Sequence, residues 1–192
     1  MWAGTFNYDV KYRGATAKPL SLLKEEKELS KDGFVINYSK IMVGSGSDTY
    51  EKGKTALKTW RHFGLSWAFV DPKTPIENGM KFCVCVKEFF PWVRMPLQVV
   101  YVNETKSRKT NVASFGFGGG TLSGHLLSGE ERFAIEMDGD KRVWLISYPT
   151  NTTRVDMFSH KRVVLPPLDA LLIMEKRDLQ LVYQDQHLQK QS

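Results

Sequence analysis

The stretch SFGFGGGTLSGHLLSGEERF, Ser114–Phe133, holds six glycines, one histidine and two adjacent glutamates in twenty residues. Two folds use glycines of this density: a phosphate cradle that follows a parallel strand and opens a helix, and an antiparallel hairpin that has to bend. A dinucleotide fingerprint places glycines at offsets zero, two and five, but counting from Gly116 or Gly118 puts Thr121 or Ser123 in the last position. A Walker loop also fails, because no Gly-Lys-Ser/Thr is present. After the glycines the pattern does not turn helical, since Phe133, Ile135 and Met137 recur with period two. Glycines inside a strand mark a bulge, sharp curvature or the close approach of another backbone, and that is the reading adopted.

The same alternation extends in both directions. Strands are expected at Trp67–Asp71, Met80–Glu88, Leu97–Glu104, Val112–Leu122, Glu130–Met137 and Arg142–Ser147, with a first one inside FVINYSKIMV, Phe34–Val43. Turn-like segments separate them: DPKTPIENG, FPWVRMP, NETKSRKTN, SGHLLSG and DGDK, with Asp138-Gly139 the clearest hairpin signal. In MKFCVCVKE, Met80, Phe82, Val84 and Val86 alternate with Lys81, Cys83, Cys85 and Lys87, the pattern of a half-wet antiparallel strand.

One convincing helix interrupts the strands. In GSGSDTYEKGKTALKTWRHFG, Tyr50, Gly53, Leu57 and Trp60 form one helical face; Asp48 and Glu51 resemble a capping box and Gly64 a stop. A second, short surface helix carrying Leu20, Leu23 and Leu29 is expected to end at Gly33. An antiparallel sheet must bury its apolar face, and the helix ending at Trp60 is the main candidate to cover it. The expected fold is α+β: a curved antiparallel meander of about seven strands gripping a helix, a helix-grip, START-like arrangement. It forms one domain over residues 1–147, followed by a tail over 148–192 in which Leu168, Leu171, Leu172, Leu179 and Val182 allow one weak helix.

With 192 residues and 42% apolar content the chain supports one sizeable core. Its net charge of +6 favours acidic partners, yet the basic residues are dispersed, and the one local cluster, Lys106–Lys109, reads as a solvated hairpin tip. No run approaches the roughly 20 apolar residues of a membrane-spanning helix, and the first residues lack a signal-peptide apolar block, so secretion is not expected. Cys83 and Cys85 fall on one strand face, poorly placed to bridge each other, and read as reduced core residues. The four histidines fall in no ligand spacing, so neither a metal nor a cofactor is expected.

Between sheet and helix, a space lined by Trp60, Phe82, Tyr101, Phe115 and Phe117 is expected, serving either as plain core or as the wall of a ligand cavity. Gly124, His125, Glu130 and Glu131 are the further candidates. His125 with either glutamate is an acid–base pair on paper. No nucleophile or oxyanion site accompanies it, and the alternative is a histidine capping the hairpin with a carboxylate paired to Arg132 or Lys141. No catalytic residue is assigned and the protein is not expected to be an enzyme.

Several segments carry a resemblance. GTFNYDVKYRG, DGFVINYSKIMVGSGSDTYEKGKTALKTW, FVDPKTPIENGMKFCVCVKE, PLQVVYV and FGFGGGTLSGHLLSGEERFAIEMDG resemble the plant branch of the family known as domain of unknown function nineteen-ninety. The likeness runs from about Gly4 to Trp144, after which the chain departs from the family pattern. Plant members are similar to a cation-conducting protein of the chloroplast outer envelope, which implies a plastid address, ion conduction, and membrane lipid or a second copy as partner. Seven strands are too few to close around an aqueous pore, since water-filled barrels have about 16, so conduction implies an oligomer. The alternative is a soluble helix-grip module in the cytosol or at the plastid surface, similar in outline to the pollen-allergen and lipid-transfer group. Its partner is a small apolar ligand or lipid. Neither reading involves nucleic acid.

Overall fold

The computed structural model describes residues 4–25, 27–87, 92–107 and 109–153. Eight strands form one sheet: β1 Val35–Ile36, β2 Ser39–Ser45, β3 Ala68–Phe69, β4 Lys81–Lys87, β5 Trp92–Ser107, β6 Val112–Thr121, β7 Leu127–Met137 and β8 Arg142–Thr153. From β3 to β8 each strand pairs antiparallel with the next, the expected meander. The chain's first strands return to the far edge, where β1 and β2 both pair with β8, so the two act as one broken edge strand and the sheet has seven staves. β5 begins at Trp92, inside the segment expected to be a connection, because Val93 and Met95 continue the alternation opposite Val86 and Val84. The Asp138-Gly139 turn forms as a longer loop: Lys141 takes the left-handed conformation, at φ 61°, and the Asp138 carboxylate accepts from the amides of Asp140 and Arg142.

Curvature comes from the glycines and from two register shifts, at Met42/Gly44 in β2 and at Val99/Tyr101 in β5. Gly116, Gly118 and Gly120 alternate along β6 and so share its outer face, while Phe115, Phe117 and Gly119 share the inner one. A methyl group on Gly116 would stand 2.8 Å from the Ala134 side chain and 2.9 Å from the Phe133 carbonyl oxygen; on Gly118 it would meet the Tyr101 ring, and on Gly120 the rings of Tyr8 and Phe6. These glycines therefore make room for another part of the chain, the role expected of them.

The helix α3, Ser47–Lys58, leaves β2 at one edge of the sheet and leads to β3 at the other, so it must cross the inner face. Its crossing point is Gly53, whose missing side chain lets Ile135 of β7 approach. Tyr50, Leu57 and Trp60 are buried, as the periodicity predicts. Its ends differ from expectation. Gly46, at φ 86°, holds the N-cap position with no side-chain cap, Asp48 lies in the first turn, and the exposed Glu51 pairs with Lys106 at 3.0 Å, so no capping box forms. The stop is Trp60 itself, left-handed at φ 57°, followed by a single 3₁₀ turn, Arg61–Phe63, that ends at Gly64. A non-glycine residue tolerates that conformation only where its surroundings hold it, and the Trp60 indole is packed on all sides and donates its N–H to the Thr74 carbonyl at 2.7 Å.

The outer face is covered too. The segment before β1 carries two 3₁₀ turns, Val10–Tyr12 and Ala15–Ala17, then α1, Leu20–Glu25, and α2, Lys27–Lys31. Tyr8, Tyr12, Ala15, Leu23 and Leu29 pack on Ala134, Ile146 and Tyr148 in a second apolar cluster. In place of the one surface helix expected there are two short ones, with Leu23 and Leu29 buried and Leu20 half-buried, and Gly33, at φ 79°, follows the helical stretch as expected. β6 to β8 thus lie between two layers of their own chain. The tail helix expected around Leu168–Val182 lies outside the described residues.

Candidate functional site

Rings meet under α3 on the inner face. Trp60 lies with its ring centroid 4.6 Å from Phe82 and 5.3 Å, edge-on, from Phe117. The 3₁₀ turn adds His62 and Phe63, with His62 stacked on Trp60 at 5.7 Å and tilted 4.9 Å from Phe133. Both His62 ring nitrogens are buried without a hydrogen-bond partner. Burial pulls its pKa down to about 3, opposed by the nearby Ala56 backbone although that contact falls short of hydrogen-bond geometry, so His62 is neutral and serves as an apolar wall. Phe115, one row further along β6, is fully buried with the Lys54 and Lys58 ammonium groups 5.7 and 5.2 Å from its ring.

Cross-strand register orders the inner face in rows. Phe117, Phe133 and Ser147 form one; Gly119 and Glu131 belong to the next. Gly119 has no side chain, and Phe82 and Leu97 lean over it. Ser147 is buried, as are Phe117 and Gly119, but Glu131 and Phe133, at the middle of the same face, keep accessible surface. Solvent contact there, beside the buried Phe117, Gly119 and Ser147, opens the inner face at this point as a recess. Ser147 Oγ donates to Glu131 at 3.4 Å. Protein encloses the carboxyl closely enough that loss of solvation pushes its pKa up to about 8, with the Ser147 bond pulling the other way, so it is largely protonated at neutral pH.

Glu130, the neighbouring residue, points through the opposite face. Its Oε1 accepts from Tyr8 Oη at 2.7 Å and the Gly14 amide at 2.6 Å; its Oε2 accepts from Thr16 Oγ1 at 3.1 Å and the Thr16 amide at 3.3 Å. Thr16 Oγ1 also bonds Tyr101 Oη at 2.9 Å, and Tyr148 Oη donates to the Thr16 carbonyl at 2.7 Å. Burial and the Glu130 carboxylate raise the Tyr8 pKa, and burial takes Tyr101 up to about 12. All these groups tie the N-terminal segment to the sheet, an anchoring function.

The nine candidates therefore separate. Trp60, Phe82, Phe115 and Phe117 share the inner aromatic layer with Glu131 at its edge; Tyr101 and Glu130 stand on the outer face; Gly124 and His125 lie in the β6–β7 turn. His125 Nδ1 meets the Leu127 amide at 3.0 Å and caps that turn, with burial drawing its pKa down to about 4. Arg132 reaches Glu136, four residues further along β7, at 3.8 Å. His62, Phe133 and Ser147 join the site without having been among the nine candidates. Alternation on β7 places Phe133 with Glu131, so that residue was within reach; the other two come from elements whose position the local pattern does not specify.

Among the described residues no group of acidic, histidine or cysteine side chains is arranged to hold a metal ion. Cys83 and Cys85 are free thiols, and burial with the neighbouring Cys85 lifts Cys83 up to about 11. Among the same residues no helix is long and apolar enough to cross a membrane.

Comparison with known proteins extends the match beyond Trp144. The pattern of the Domain of unknown function (DUF1990) family matches residues 16–168. A UPF0548 protein of Arabidopsis thaliana is 60% identical over 141 residues, 73% of this chain and 69% of that protein. A UPF0548 protein of Dictyostelium discoideum is 34% identical over 116 residues, 59% of this chain and 53% of its relative, so the chain spans about half of that protein's length. Among solved structures, the major latex-like protein 151 of Panax ginseng is similar at 12% identity and a TM-score of 0.37, over 74% of this chain and 91% of that one. The family match covers most of the chain and most of the sheet described above: the protein belongs to the DUF1990 family, whose curated members carry the name UPF0548.

Proposed function

We propose that this protein is a non-enzymatic binding module that holds a small apolar molecule against the inner face of its curved sheet. The observation that carries the reading is the accessible Glu131–Phe133 patch beside the buried Phe117, Gly119 and Ser147, bordered by Phe117, His62 and Phe82. Apolar walls supply the affinity and one polar group the orientation, the usual division in small-molecule sites. Native mass spectrometry of the purified chain, alone and with added diphenylmethane, tests it. A retained ligand lost in Phe133→Lys supports the site; no retained mass and no saturable binding overturn it.

The cation-conducting reading has less support. α3 and the 3₁₀ turn pack on β6–β8 on one side and the N-terminal segment packs on them on the other, so these three strands do not present a continuous face to lipid or to a water-filled lumen. A place at the plastid envelope is a separate proposal, tested by carbonate-wash fractionation of chloroplasts.

A further inference from the structure

The recess has a polarity of its own. On the inner face the row Gly119–Glu131 follows the row of rings, so a molecule lying against Phe133 brings one end to the Glu131 carboxyl. Ser147 Oγ, at 3.4 Å from Oε1, is the one hydrogen-bond partner of that carboxyl among the described residues. The carboxyl is not sealed, in contrast to the His62 nitrogens, which are buried out of reach. Arg132 points through the opposite face with its guanidinium beside the Tyr148 ring, and so brings no positive charge to the recess.

We propose that Glu131, oriented by Ser147, donates a hydrogen bond to a neutral carbonyl oxygen on an otherwise apolar ring compound stacked on Phe133. The inference rests on the binding function proposed above and names its ligand class. Ser147 Oγ–H donates to Oε1; the acid proton on Oε2 is left to donate to the ligand, and the carbonyl accepts it. Burial supports this assignment by keeping the carboxyl in its protonated form up to about pH 8. A hydrocarbon leaves the donor unmatched, and a carboxylate ligand enters a recess from which the Arg132 guanidinium points away, so both are discriminated against.

The test compares benzophenone, diphenylmethane and diphenylacetate by calorimetry and saturation-transfer NMR at neutral pH, on the full chain and on Glu131→Gln and Glu131→Leu. Benzophenone is expected to bind the unsubstituted chain about tenfold more tightly than diphenylmethane, the value of one well-made hydrogen bond. Glu131→Leu should bring the two to parity by weakening benzophenone alone. Glu131→Gln, which keeps an N–H donor and the shape, should retain part of the preference. Equal binding of all three probes, tightest binding of diphenylacetate, or an undiminished preference in Glu131→Leu overturns the inference and leaves the apolar site standing. Failure of all three to bind the unsubstituted chain overturns the binding function along with it.

Discussion

Gly118 and Tyr101 face each other across β5 and β6, and the pair shows what a single missing methyl does. Gly118→Ala should destabilise the chain by ~1–3 kcal/mol through overpacking against that ring, read from the urea midpoint, with Gly116→Ala at the high end because its obstacle includes backbone. Two further residues make stability depend on pH in opposite directions. His62 is neutral when folded, with a pKa of about 3, and takes up a proton near its ordinary 6.5 when unfolded. Its contribution is therefore present above about 6.5 and lost as pH falls towards 3. His62→Phe, which preserves the stack on Trp60, should flatten that decline in part; His125, also held low, keeps the remainder. For Glu131 the folded value of about 8 exceeds the ordinary 4.5, so its contribution is present in acid and lost as pH rises from about 4.5 to 8. Thermal melts of Glu131→Gln should exceed those of the parent chain above about pH 8 and converge with them below about pH 4.5. A midpoint difference independent of pH would show that Glu131 does not titrate in this way. That glycines inhabit a strand was legible from the alternation following them. Which neighbour each one admits was not, because Tyr101, Tyr8 and Ala134 arrive from three separate segments.

At the scale of elements, the segment Thr5–Ala17 is fastened by one carboxylate that takes four hydrogen bonds from Tyr8, Gly14 and Thr16. Glu130→Ala leaves those donors unpaired in a dry environment and should cost about 3–5 kcal/mol, the usual penalty for breaking a buried charged network. Limited trypsin digestion is the direct measurement: cleavage after Lys11 and Arg13 should accelerate while the β6–β7 hairpin stays protected. α3 was readable because its apolar positions recur every three or four residues. Its ends were not, because Gly46 turns the chain at a positive φ with no side-chain cap, and Trp60 takes a left-handed conformation held by its burial on the sheet. A tryptophan offers no local signal for that geometry. The start of β5 was missed for a related reason: Pro96 reads as a strand breaker, yet it stands opposite Cys83 near the sheet's narrow end, where β3 beyond β4 has only two residues.

The whole molecule depends on both faces of β6–β8 being covered, the inner by α3 and the outer by the segment before β1. Removing residues 4–17 strips Tyr8, Tyr12 and Ala15 from the outer cluster and uncovers Ala134, Ile146 and Tyr148. The shortened chain is expected to bind an apolar dye and to lose its sharp calorimetric transition, whereas a merely local role would leave the transition sharp. The sequence by itself determined that alternating residues build an antiparallel meander, that one amphipathic helix crosses it, and that the glycines bend strands instead of cradling phosphate. It also determined that Glu130 and Glu131 point opposite ways, since consecutive strand residues always do. What each glutamate meets was decided only by tertiary structure. The N-terminal turns surround one with donors and the aromatic recess leaves the other nearly alone; these are contacts between segments more than a hundred residues apart for Glu130, beyond the reach of any local pattern.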